Sequence, residues 1–177
     1  RTEKRIINNI TNKNLERKKN MTWFECKIRY EKTLENGMVK KVTEPYLVDA
    51  LSFTEAEARI IEEMKPFISG EFTVSDIKRA NYSELFFSDE EAADRWFKSK
   101  LLFITLDEKS GNEKKVASNV LIQASDLRDA VKKLDEGMKG SMADYEIASM
   151  AETPIMDVYR YEVEPDVKPE FPEAGQQ

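Results

Sequence analysis

Phe24, Cys26, Ile28 and Tyr30 alternate with Glu25, Lys27, Arg29 and Glu31. That period of two predicts a strand with one apolar and one polar face. Asn36-Gly37 follows, a hairpin turn signal in which both central positions favour positive φ. The return strand runs to about Ala50, with Val42, Tyr46, Val48 and Ala50 in one parity. Pro45 lies inside it, which calls for an edge position or a bulge. From Ser52 the period changes. Phe53, Ala56, Ile60, Met64 and Phe67 form a stripe at helical spacing, and Ser52-Phe-Thr-Glu55 has the form of a capping box. Phe72 to Phe87 alternates again and is read as one long strand, bulged near Asn81.

The same order then recurs. Trp23-Phe24-x-x-Lys27 returns as Trp96-Phe97-x-x-Lys100, and Lys40-Lys41-Val42 as Lys114-Lys115-Val116. Ala50, Ala56 and Met64 return as Ala124, Ala130 and Met138, about 74 residues on, beyond the period of common solenoid repeats. Phe97, Ser99, Leu101 and Phe103 take the strand positions, and Ser110-Gly111 the turn. Val116, Val120, Ile122 and Ala124 are expected to face the core. Ser125 to Met138 is the second helix, with Leu127, Ala130, Leu134 and Met138 as its stripe, and the closing strand reaches about Val163. Ser88-Asp-Glu-Glu91 predicts a brief connecting helix.

The expected fold is therefore α+β: a tandem duplication of a hairpin/helix/strand unit, with a mainly antiparallel sheet and two helices packed on one face. Its parts are a disordered basic extension over 1–20, a first unit over 21–87, a connector over 88–95, a second unit over 96–163, and an acidic, proline-rich, disordered tail over 164–177. Residues 1–20 carry seven Lys/Arg against two Glu. Met21 stands two residues before the first repeated residue, Trp23, so the extension is read as an addition to the folded unit rather than as a nucleic-acid arm.

Composition narrows the chemistry. The 177 residues include one cysteine and no histidine. Ser-His and Cys-His catalysis, histidine-ligated zinc and an internal disulfide are thereby excluded. A lone cysteine suits a reducing cytoplasm. No apolar run approaches the roughly 20 residues of a membrane helix, so no membrane association is expected. The net charge is −6 overall, and the basic extension leaves the rest at −11. Such a body repels phosphate backbones unless its cations are gathered on one face. No phosphate loop, dinucleotide glycine pattern or nucleophile elbow is present, and no cofactor is expected. Asp76 with Lys78 is a faint echo of a metal-dependent nuclease site, but no second acid is placed beside it. No metal site or catalytic residue is assigned.

Two constellations remain. Trp23, Lys27, Arg29 and Lys41 share an outward parity on the first hairpin, and Trp96, Lys98, Lys100 and Lys115 are candidates on the second. Aromatic rings beside cations on a sheet are what single-stranded nucleic acid needs. The favoured alternative has each Trp plugging a strand end while the lysines pair with Glu25, Glu44 or Glu113. The second constellation is apolar. Leu102 and Ile104 stand where the first unit has Arg29 and Glu31, so the outer face of the second hairpin is either covered or a surface for a protein partner or a homodimer.

The run Met21-Thr-Trp-Phe-Glu-Cys-Lys-Ile-Arg-Tyr30, with Tyr46-Leu-Val-Asp-Ala50 and Thr54-Glu-Ala-Glu-Ala58, resembles a domain-of-unknown-function family of short proteins from Bacteroidetes and their phages. The resemblance covers about Met21 to Val163. It implies a cytoplasmic bacterial or phage-encoded protein and brings no catalytic residues with it. The resulting expectation is a non-enzymatic binding or accessory protein. A single-stranded nucleic-acid binder and a small-molecule binder between the halves are the alternatives.

Overall fold

The computed structural model describes residues 12–162. Residues 12–20 are helical (α1). There follow β1 (Thr22–Thr33), β2 (Val39–Ala50), α2 (Phe53–Met64), β3 (Phe72–Ala80) and β4 (Glu84–Phe86). The second half comprises β5 (Arg95–Leu106), β6 (Glu113–Ala124), α3 (Leu127–Met138), β7 (Tyr145–Glu152) and β8 (Val158–Tyr159). The fold is α+β and mainly antiparallel, as the alternation predicts. The strands divide into two four-stranded sheets, ordered β3-β1-β2-β8 and β4-β6-β5-β7.

The closing strands depart from the simple reading. Phe72–Phe87 is not one strand. The chain leaves the first sheet after Ala80, and β4 pairs in parallel with β6 of the second sheet, Leu85 opposite Leu121. The second half reciprocates: β8 pairs in parallel with β2, Val158 opposite Leu47. Alternation alone could not show this, because a strand that changes sheets keeps its period of two across the crossing. Each half thus completes the other's sheet.

Three cores result. Phe24, Cys26, Ile28, Val48, Ala56, Ile60 and Met64 fill the space between the first sheet and α2. Phe97, Leu101, Ile122, Ala130, Leu134 and Met138 do the same beneath α3. The third core joins the halves: Leu47, Trp96, Leu121, Ile155 and Val158, with Trp23, Tyr82, Leu85 and Phe87 against them. Each helix covers one face of its own sheet, and part of each opposite face enters the shared core.

Local details follow from residue chemistry. Ser52 caps α2 by accepting the Glu55 N–H, and Asp126 caps α3 by accepting the Asp129 N–H, so that this helix begins at Leu127 rather than Ser125. The outermost residues of the predicted stripes are not core. Phe67 lies beyond α2 and is 72% exposed, while Phe53, Leu127 and Val116 are also exposed. Gly37 (φ +78°) and Gly111 (φ +68°) supply the only positive-φ positions among the described residues. The first turn therefore needs one left-handed residue rather than the two that Asn-Gly suggested. Gly37 donates to Leu34 three residues back, and Gly111 to Asp107 four residues back. This extra residue in the second turn explains why the repeat spacing is one residue longer after the turn than before it.

Pro45 is accommodated as an edge residue. Its carbonyl accepts from Met156 N–H at 2.9 Å, on the side of β2 away from β1. Since β8 pairs only from Leu47 onward, the N–H that proline lacks has no strand opposite it. The segment 88–94 forms a turn, not a helix. Ser88 Oγ accepts the Glu90 N–H, as a cap would, but Ala93 N–H closes back on Glu90 after one turn. The tail over 164–177 and residues 1–11 lie outside the described residues. Within the predicted extension, residues 12–20 are helical rather than irregular.

Candidate functional site

The Trp/Lys constellations are split by the shared core. Trp96 is 2% exposed, with Phe87 edge-on at 5.4 Å, so its ring has no open face for a base. Trp23 packs partly buried against the same core. The Trp rings thus pack as the favoured alternative has them, not as two open aromatic platforms: the faces carrying them are the ones on which the halves meet. Lys27 is half-buried, and its carbonyl accepts the Ser75 hydroxyl at 3.2 Å. Arg29 and Lys41 are exposed and line an open depression of about 720 Å³ beside Glu31 and Glu71. Lys115 pairs with Glu146 at 3.1 Å. Lys98 lies 6.0 Å from the centre of the Tyr82 ring, and Lys100 is exposed. The eight residues do not converge on one surface.

Nor do the acids build a reaction centre. Lys78 pairs with Glu25 at 3.3 Å, while Asp76 lies opposite Lys27. Among the described residues no group of three or more thiol or carboxylate side chains is arranged to hold a metal. Cys26 is fully buried. Burial, reinforced by Glu25, Asp76 and Glu57, pushes its thiol up to about 12, the reverse of what a thiolate nucleophile requires. The third core occupies the centre of the junction between the halves, and the open depression at its edge, about 580 Å³, is lined by Arg59, Glu63, Phe87 and residues 158–162.

The apolar constellation is brought together. Along β5, Phe97, Ser99, Leu101 and Phe103 face α3, which leaves Lys98, Lys100, Leu102, Ile104 and Leu106 on the opposite side. Leu102 and Ile104 are half-buried and belong to none of the three cores, and Leu106 is 71% exposed. Their cross-strand neighbours on β6 are Ala117, Lys115 and Glu113. On β7 Glu146 lies opposite Leu102, and its ion pair with Lys115 joins the flanking strands across an apolar row that is half-buried at Leu102 and Ile104 and open at Leu106.

Sequence reasoning missed a second cluster, formed by segments that lead into or out of the halves. Arg17 of α1 pairs with Glu55 of α2 and stacks over the Tyr161 ring at 4.6 Å. Arg59 lies over the same ring at 5.5 Å and pairs with Asp49 at 2.7 Å. Asp49 also accepts the Tyr161 N–H. In the second half, Lys133 joins Asp129 (2.9 Å) to Glu90 of the connector (3.1 Å). Glu55/Arg59 and Asp129/Lys133 stand at the same i, i+4 spacing one repeat apart, but only Asp129 and Lys133 pair with each other, Glu55 and Arg59 being taken by Arg17 and Asp49. The cluster anchors α1, the connector and the residues after β8.

Residues 22–161 match the family model described as Domain of unknown function (DUF4494), and the chain belongs to that family. No curated protein matches the chain. No helix of the described residues is long and apolar enough to cross a membrane.

Proposed function

We propose that this family member is a non-enzymatic accessory protein, cytoplasmic and of bacterial or phage origin, built by duplication of one unit. It binds a protein through the outer face of its second sheet. One observation carries the reading: Leu102, Ile104 and Leu106 stand in line on a central strand, facing away from α3 and outside every core cluster. A sheet buries an apolar face against another element, and neither α3 nor the shared core covers this one, which is flanked by the Lys115–Glu146 ion pair. A buried free cysteine is compatible with the reducing compartment.

The test is photo-crosslinking from a diazirine amino acid at position 106, paired with capture by the full chain and by a Leu102→Lys/Ile104→Lys variant of unchanged melting temperature. Crosslinks to a defined protein, or to a second copy of the chain, that disappear in the variant support the reading. Identical capture by both forms, with no crosslink at position 106, refutes it.

A further inference from the structure

Two lysines continue the apolar row toward the shared core. Lys98, Lys100, Leu102, Ile104 and Leu106 share one side of β5, with side chains spaced about 7 Å apart by the strand repeat. A lysine on a sheet face is stabilised by an acid on a nearby strand, as Lys78 is by Glu25 on the adjacent strand and Lys115 by Glu146 across β5. Lys98 lies between Leu121 and Ala151, and Lys100 between Asn119 and Ser149. Neither makes an ion pair among the described residues, and both are exposed. In the first sheet the place of Lys98 is taken by Glu25, which is paired. Arg29 and Lys41 of the first sheet likewise make no ion pair among the described residues, so what sets Lys98 and Lys100 apart is the apolar row they continue, on a chain whose net charge is −6.

We propose that the partner's docking segment is acidic and apolar, setting carboxylates on Lys98 and Lys100 and apolar side chains on Leu102, Ile104 and Leu106. This rests on the reading of the face as a protein-docking surface. The lysines fix register and orientation while the apolar row supplies the affinity, the usual division between charge and apolar burial at an interface. Nucleic acid fits less well. The row offers two unpaired cations and no open aromatic ring, because Trp96 is enclosed and Tyr82 lies half-buried beneath Lys98.

The probes are peptides selected from a random display library on the immobilised full chain, then synthesised and titrated by fluorescence polarisation. Peptides that bind the face are expected to be acidic with apolar anchors. They should weaken about tenfold on Lys98→Glu/Lys100→Glu, two charge contacts being reversed, and weaken further on Leu102→Lys/Ile104→Lys. Leu106→Lys, at a more exposed site, replaces the latter variant if it fails to fold. Binding lost on the apolar changes but indifferent to charge reversal overturns the acidic partner and leaves the docking face standing. If no selected peptide responds to either apolar variant, both readings fall. Displacement of the peptides by an oligo-dT strand also overturns the proposal, in favour of phosphate recognition.

Discussion

Gly137 sits in the last turn of α3, where alanine would ordinarily stabilise the helix by about 1 kcal/mol. Here it is expected to do the opposite. A Cβ built on Gly137 lies 2.5 Å from Cε1 and 2.6 Å from Cδ1 of Phe86, against a normal carbon–carbon approach of about 3.5–4.0 Å. Phe86 belongs to β4, the strand that the first half lends to the second sheet, and it packs on the α3 core. The ring must move by about 1 Å or the helix must lift, and overpacking of this kind costs about 1–3 kcal/mol. Set against the propensity gain, Gly137→Ala should destabilise by about 1 kcal/mol, or about 2–4 °C in Tm for a domain of this size. Phe86→Ala, which removes both clashing carbons, should cost about 3 kcal/mol alone through lost packing. In the double variant the clash is absent and the propensity gain survives, so the two changes should couple favourably by about 1–2 kcal/mol. Urea denaturation of the four proteins measures the cycle. Stabilisation by Gly137→Ala alone, or strict additivity, would refute the placement of Phe86 against the helix.

Other outcomes follow from the titratable groups. Cys26 is fully buried with its thiol pushed up to about 12, so iodoacetamide at mildly alkaline pH should label the unfolded chain and leave the native one intact for as long as global unfolding is rare. Rapid labelling of folded protein would contradict that burial. The Asp129 carboxyl is held below its ordinary 3.8, first by the Ser125 N–H and then by Lys133. A depressed folded value means its stabilisation is complete above the ordinary value and lost as pH falls through the folded one. Asp129→Asn should therefore flatten the fall in stability measured below about pH 4; an unchanged acid limb counts against the bond. Asp49 holds both Arg59 and the Tyr161 N–H. Asp49→Ala should cost about 2–4 kcal/mol in chemical denaturation, since it strands a largely buried cation, and a loss below about 0.5 kcal/mol would show the cluster to be dispensable.

The elements were legible because each half runs period two, then 3.6, then two, and the turns carry glycine where the backbone needs it. The division into two sheets was not. Glu84–Phe86 and Val158–Tyr159 are too short to announce a partner, and parallel pairing leaves no turn between the strands it joins. That one omission propagated to the candidate site. With Leu47, Trp96, Leu121 and Val158 meeting between the sheets, the Trp96 ring went to the interior, as the favoured strand-end plug has it, while Lys98 and Lys100 beside it stayed exposed. The Leu102/Ile104 row lies nearer the hairpin tip, outside this meeting, and is half-buried rather than interior. The role of α1 was hidden for another reason: Arg17 answers a glutamate 38 residues away, and composition records its charge but not its partner.

The exchange of β4 and β8 also bears on how the molecule can fail. A chain of two self-sufficient halves can lose one and keep the other, and damage is contained. Here each sheet takes its last strand from the opposite half, and the connecting core belongs to neither alone. Melting of either half strips a strand from the survivor and uncovers Leu47 or Leu121. Partial unfolding should thus carry nearly the full cost of global unfolding, leaving few half-open forms for proteases or aggregation to exploit. The same coupling limits variation, because a substitution that loosens one closing strand is felt in the sheet on the other side.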